Sequence, residues 1–159
     1  MRASLPSLGP RGEGWVVIQF ALLGLLALAG STGPAWGGPL RTVTTGLGLV
    51  LMAAGTLLGG RGLLDLGRAL TPMPRPLAGT TLVAHGAYRL VRHPIYGGIV
   101  IGGLGWGLLW AAPVALLIAV GLFAFFNLKS RREEAWLADE VAGYVDYARH
   151  TRRLIPFLY

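Results

Sequence analysis

The chain of 159 residues contains no cysteine, which excludes disulfides, thiolate metal sites and iron–sulfur chemistry. It is also short of charge. Only 13% of its residues are Asp, Glu, Lys or Arg, against about a quarter in a soluble domain. It has no H-E-x-x-H, no Walker loop and no grouping of carboxylates with histidines for a metal, so no metal is expected. Basic residues exceed acidic ones to give a net charge of +7. They flank apolar runs and are not interleaved with aromatics, so a membrane orientation signal is expected and a nucleic-acid partner is not.

What is present is apolar: 53% hydrophobic residues, arranged in long blocks. That pattern predicts an all-α integral membrane protein, a single domain over 1–159 whose first partner is the lipid bilayer. The apolar runs predict spans near 15–31 and 43–60. A third block, 94–128, is uncharged over 35 residues. As one helix it would be about 52 Å long, well beyond a hydrocarbon core of about 30 Å. Pro113 offers a break, so spans over 94–111 and 113–129 are expected. Arg2 and Arg11 precede the first run, but a Gly/Pro-rich leader and the lack of a small-x-small site favour a retained span over a cleaved signal peptide.

Four transmembrane helices place 13 of the 14 basic residues on one side, leaving Arg41 opposite. The positive-inside rule then puts both termini on the cytoplasmic side of the inner membrane. A short amphipathic piece, "RGLLDLGRAL", and an extended "TPMPRP" follow the second span. After the fourth span, 131–150 reads as a cytoplasmic amphipathic helix with Leu137, Val141, Tyr144 and Ala148 on one stripe. Together with the cytoplasmic loop it is expected to form the cofactor site.

Two polar motifs meet at that interface. Pro94 suits the first position of a helix, which leaves His93 near the cap and free N–H groups facing the interface. Arg92 adds a fork of donors suited to carboxylate or phosphate. On position alone Arg89 and Arg92 serve equally as positive-inside residues, and His93 as a cap. Gly98-x-x-x-Gly102 and Gly103-x-x-x-Gly107 suit close helix packing, whereas Gly97 and Gly98 are also placed to leave room for a ligand. Glu133 reads as a solvated helix start. Glu134 falls on the apolar stripe, where a carboxylate needs a partner. His85 and His150 read as structural, and Tyr144 and Tyr147 as interfacial anchors.

The stretch "LVAHGAYRLVRHPIYGG", an apolar hairpin and then "RREEAWLADEVAGYVDYARHTRRLIP" resembles the isoprenylcysteine carboxyl methyltransferase and phospholipid methyltransferase superfamily over about residues 60–159. Gly86, Tyr88, Arg92, His93, Pro94, Tyr96 and Gly98 match its G-x-Y-x-x-x-R-H-P-x-Y-x-G motif, and Glu133 and Glu134 match its Glu-Glu pair. The resemblance implies S-adenosylmethionine as cofactor and S-adenosylhomocysteine as product. It implies Tyr88, Arg92, His93, Pro94, Tyr96, Gly97, Gly98, Glu133 and Glu134 as cofactor-binding residues, with Arg92, His93 and Glu134 central to catalysis. It also implies a lipophilic small-molecule or prenylated acceptor, near Tyr144, Tyr147 and Arg149. One feature departs from the pattern. Where prenylcysteine methyltransferases carry an arginine after the Glu-Glu pair, this chain has Asp139 and Glu140, which would repel a carboxylate unless Arg149 or Arg152 compensates. Three other readings stand beside this one: a phospholipid or amine N-methyltransferase, an NADPH-dependent sterol-reductase-like oxidoreductase, and a non-catalytic membrane scaffold.

Overall fold

The structure, a computed structural model, describes residues 6–32, 34–77 and 79–158. Arg2 of the expected basic flank lies outside the described residues, as does the side chain of Arg68. The described residues form five helices and no strand: α1 (Glu13–Ala29), α2 (Gly38–Leu66), α3 (Pro94–Leu109), α4 (Pro113–Glu140) and α5 (Tyr144–His150), with 3-10 turns at Gly67–Ala69 and Gly86–Arg89.

Helices α2 and α4, of 29 and 28 residues, are long and apolar enough to cross a membrane; α1 and α3 are apolar but shorter, at 17 and 16 residues. At about 1.5 Å per residue the long pair reach about 42–44 Å and the short pair about 24–26 Å. The break expected at Pro113 is present. Ala111 takes a positive φ of 50°, its carbonyl accepts the Ala35 N–H at 2.9 Å, and Pro113 opens α4.

Two boundaries differ from the sequence expectation. "RGLLDL" continues α2 without interruption, and 129–140 continues α4. Neither stretch contains a proline, so nothing in them interrupts the backbone hydrogen-bond ladder, and Gly62 is accommodated by its close packing on Pro94. The helix expected over 131–150 is therefore divided. Its first half is the end of α4, and the chain turns at Gly143, with φ of 79°, before α5.

Helix α2 packs on α3 along a seam of glycines. Gly48, Gly55 and Gly62 recur every seven residues and meet Gly105, Gly98 and Pro94 in turn. A Cβ on Gly55 would lie 2.5 Å from the Gly98 carbonyl oxygen, and one on Gly98 2.6 Å from that of Gly55. The backbones touch, as small-residue interfaces allow. Gly103 and Gly107 face the other way, toward Leu26 and Ala119 and toward Leu116. Between α1, α3 and α4 lies the core of Leu26, Val100, Ala119, Leu122 and Phe126, closed at one end by Leu154. The exterior is apolar as well: Val17, Leu28, Leu57 and Leu117 are 68–73% exposed, as on the lipid-facing surface of a membrane protein.

The segment after α5 runs back alongside the entry to α3. Arg92 and His93 N–H groups donate to the carbonyls of Arg152 (2.8 Å) and Arg153 (3.0 Å), in a parallel bridge centred on Val91 and Arg152.

Candidate functional site

A cavity of about 300 Å³ opens where the polar ends of α2, α3 and α4 meet α5, a size typical of small-molecule sites. One wall is formed by residues 69–74, 76 and 80–83; the extended run expected over "TPMPRP" bends at 72–75 instead. This wall is tethered to the end of α4 by Arg75 Nε on Glu140 Oε1 at 2.9 Å. The other walls carry Tyr88, Arg92, His93, Tyr96 and Glu133 together with Leu137, Val141, Tyr144 and Tyr147. Leu137, Val141 and Tyr144, placed on one stripe from their spacing, do line one cavity, although the helix breaks between them.

Pro94 sets the geometry of the α3 mouth. It occupies the start of the helix, and His93 is the cap residue, but the imidazole makes no capping bond. The ring instead turns toward α4, with Nε2 3.3 Å from Glu134 Oε1 and Nδ1 3.9 Å from Glu133 Oε2. It stacks on Tyr96 with centroids 5.3 Å apart, and Tyr96 stacks on Phe126 at 4.6 Å. Tyr96 donates its hydroxyl proton to Glu133 Oε2 at 2.8 Å. Ile95 and Tyr96, whose N–H groups precede the first bond of α3 (Gly97 N–H to His93 carbonyl, 3.0 Å), both line the cavity.

Glu134 has a different surrounding from Glu133. Arg92 Nε donates to its Oε1 at 2.8 Å, and Arg153 donates to both oxygens, Nη2 to Oε2 at 2.9 Å. Burial pushes its carboxyl up, but hydrogen bonds from His93 and Arg153, the His93 charge and the Arg92 bond outweigh this and hold it well below the usual carboxylate range. Arg92 also donates to the carbonyls of Ala148 (2.9 Å) and Thr151. This cluster therefore fastens α3, α4, α5 and the returning segment to one another. Expected from the resemblance to bind the cofactor, Glu134 is not among the cavity-lining residues: both oxygens are engaged by arginines.

Gly97, Gly98 and Pro94 are likewise packed against protein. A Cβ on Gly97 would fall on the Leu154 carbonyl, Gly98 lies against Gly55 and Gly59, and Pro94 against Gly62. Their smallness serves close backbone approach rather than ligand space. Arg149 is exposed and borders a separate surface depression with Asp139 and Glu140. The acidic pair expected to repel a carboxylate thus lies outside the main cavity. Tyr144 and Tyr147 are at the cavity. Burial raises both phenols, Tyr147 to about 12, so both are donors at neutral pH. Tyr147 donates to the Tyr88 carbonyl at 2.6 Å, whereas the buried Tyr144 hydroxyl has no partner.

Three residues at or beside the site, Gln19, Lys129 and Arg153, are not among those expected from the sequence. Lys129 is wholly buried, and its ammonium donates to Gln19 Oε1 and to the Pro72 carbonyl at the cavity. Gln19 was legible as the lone amide of an apolar helix, a signal for function within a membrane. Lys129 resembled one more positive-inside flank, and Arg153 carried no local signal.

The model of the phospholipid methyltransferase family matches residues 43–141. Protein-S-isoprenylcysteine O-methyltransferases A and B of Arabidopsis thaliana are 31% and 30% identical over 116 and 115 residues, each covering 70% of this chain and 58% of the relative. Cobalt-zinc-cadmium resistance protein CzcN of Cupriavidus metallidurans is 30% identical over 144 residues, 90% of this chain and 62% of the relative. The chain thus spans about three-fifths of the length of these relatives. With Arg92, His93 and Glu133 brought together at one cavity, Glu134 clamping Arg92 beside it, and the matched region covering most of α2 to α4, the chain belongs to the phospholipid methyltransferase family, within the superfamily that includes the isoprenylcysteine methyltransferases.

Proposed function

We propose that the chain is an integral-membrane methyltransferase that uses S-adenosylmethionine and acts on a lipid-like or prenylcysteine-type carboxylate acceptor at the cytoplasmic interface. In this reading α1, α2, α3 and α4 all span the membrane, α1 and α3 reaching the interface through their flanking turns, with both termini cytoplasmic. The observation that carries the proposal is the cavity wall itself. It offers a carboxylate (Glu133), an imidazole (His93), a guanidinium (Arg92) and a buried tyrosine hydroxyl without a partner (Tyr144). Such a wall suits a ligand that carries an ammonium, a carboxylate and ribose hydroxyls together, because each buried polar group needs a complement.

The cofactor, when bound, supplies a methyl group on a sulfonium for in-line displacement by the acceptor oxygen. The chain's contribution is positioning and exclusion of water. Glu133, fixed by Tyr96, takes ammonium or hydroxyl groups, and His93 is held against Tyr96 by stacking. Arg92 is oriented by Glu134, which makes Glu134 a positioning residue. Leu63, Leu66, Leu70 and Ile95 form the apolar side of the cavity toward the membrane, suited to a hydrocarbon tail. A carboxylate acceptor needs no general base, since it is already the nucleophile at neutral pH.

The test is incubation of the purified protein with methyl-labelled S-adenosylmethionine and either N-acetyl-S-farnesylcysteine or a membrane lipid extract, with mass spectrometry of the products. Label in a base-labile ester of the farnesylcysteine supports the proposal. Label on a phospholipid amine replaces the acceptor class. No transfer, together with no calorimetric binding of S-adenosylhomocysteine, refutes it.

A further inference from the structure

Lys129 has no part in the function proposed above. Its side chain is fully buried, among the largest such side chains in the molecule. A buried ammonium is costly unless its donors are satisfied and its charge is met. Here the donors are partly satisfied, and the charge has no direct ion-pair partner, only the field of Glu133 from farther off. Nζ donates to Gln19 Oε1 and, at 3.3 Å, to the Pro72 carbonyl, and it lies 5.0 Å from the centre of the Tyr96 ring. All three supports are neutral, and an ammonium has three donors to place.

No carboxylate lies within ion-pair distance of Lys129 among the described residues. Glu134 is clamped by Arg92 and Arg153, and Glu133 is engaged by Tyr96 and His93. Lys129, Gln19, Tyr96 and Glu133 all line the same cavity. Gln19 reaches it from α1, a helix otherwise devoted to apolar packing, and its amide oxygen holds the ammonium in place. The contrast with the other cation of the cavity is sharp. Arg92 is anchored by Glu134 and two carbonyls, whereas the groups bonded directly to Lys129 are neutral and Glu133 reaches it only through the cavity, beyond ion-pair distance.

We propose that Lys129, presented by Gln19, is the residue that holds the carboxylate of the bound ligand, in the place left vacant by Arg149 and Arg152, both of which are exposed. This rests on the methyltransferase reading. The carboxylate has two possible sources, the amino-acid end of the methyl donor and the acceptor. Glu133 on the same cavity gives the donor's ammonium a counterpart.

Wild-type protein and Lys129→Met are compared by calorimetry with four probes: S-adenosylhomocysteine, methylthioadenosine (which lacks the amino-acid end), N-acetyl-S-farnesylcysteine and its methyl ester. Replacing a buried charge by an apolar chain of similar shape preserves folding, and equal thermal unfolding of the two proteins verifies it; Lys129→Arg serves as the charge-preserving control. The expected result is a loss of about 10- to 100-fold in affinity for one carboxylate-bearing probe, with its carboxylate-free analogue unaffected and most affinity kept by Lys129→Arg. Loss for S-adenosylhomocysteine identifies the donor as the source, and loss for the farnesylcysteine acid identifies the acceptor. The assignment is overturned if Lys129→Met binds all four probes as wild type does, or if it loses each probe and its analogue equally. If wild-type protein binds neither nucleoside, the methyltransferase reading fails and this assignment fails with it, an outcome distinct from failure of Lys129 alone.

Discussion

Glu134→Ala removes the carboxylate that Arg92, Arg153 and the His93 ring share. In the native chain Arg92 and Arg153 approach its oxygens at 2.8–3.2 Å, and its side chain is only 14% exposed. Without the carboxylate, Arg92, 10% exposed, stays buried with carbonyl acceptors but no counter-charge. Breaking a buried pair in this way costs about 3–5 kcal/mol. For a chain of this size each kcal/mol corresponds to about 2–4 °C in Tm, so a fall of about 6–20 °C in detergent is expected. The pH dependence carries the sharper check. The folded carboxyl sits below its ordinary value of 4.5, so its contribution is fully present above that value and is lost as pH falls from there toward the folded pKa. Glu134→Gln cannot titrate. The stability difference between wild type and Glu134→Gln therefore shrinks as pH falls below about 4.5. A variant as stable as wild type at pH 7, or a difference that does not change with acid, would refute the clamp.

Two further outcomes follow from packing and from the unpaired hydroxyl. Gly98→Ala places a methyl 2.6 Å from the Gly55 carbonyl, whereas Gly102→Ala meets nothing within 4 Å; the first is expected to cost at least about 1–3 kcal/mol by overpacking and the second to be neutral or slightly stabilising, as read from thermal unfolding. Tyr144→Phe removes a buried hydroxyl that has no hydrogen-bond partner among the described residues, so it is expected to preserve or raise Tm while weakening S-adenosylhomocysteine binding by about 10-fold, and an unchanged affinity would remove Tyr144 from the site.

The polar half of the site was legible because its signals are local. Pro94 marks a helix start wherever it occurs, and the Arg-His pair before it and the Glu-Glu pair after the apolar hairpin are contiguous strings. The break at Pro113 follows from length against bilayer thickness. What stayed illegible depends on which groups meet across the fold. Glu133 and Glu134 are adjacent in sequence, yet successive helix positions point about 100° apart, so one reaches the cavity and the other the arginine cluster. Arg153 meets Glu134 only because the segment after α5 runs back past α3. Gly97 and Gly98 look alike as ligand space and as packing surface until the partner backbone is known. Lys129 was hidden by its own plausibility, since a lysine at the end of a membrane span needs no special explanation.

The bridge between 91–93 and 152–153 has a consequence for biosynthesis. The carbonyl of Thr151 that fixes Arg92 lies 59 positions later in the chain, which at about 5–20 residues per second corresponds to about 3–12 s of translation. Over that interval the apolar helices can enter the bilayer and pair along the glycine seam, while the site lacks its closing segment. Pairing of the apolar helices and completion of the site are thus separable steps, the second waiting on the last segment of the described chain.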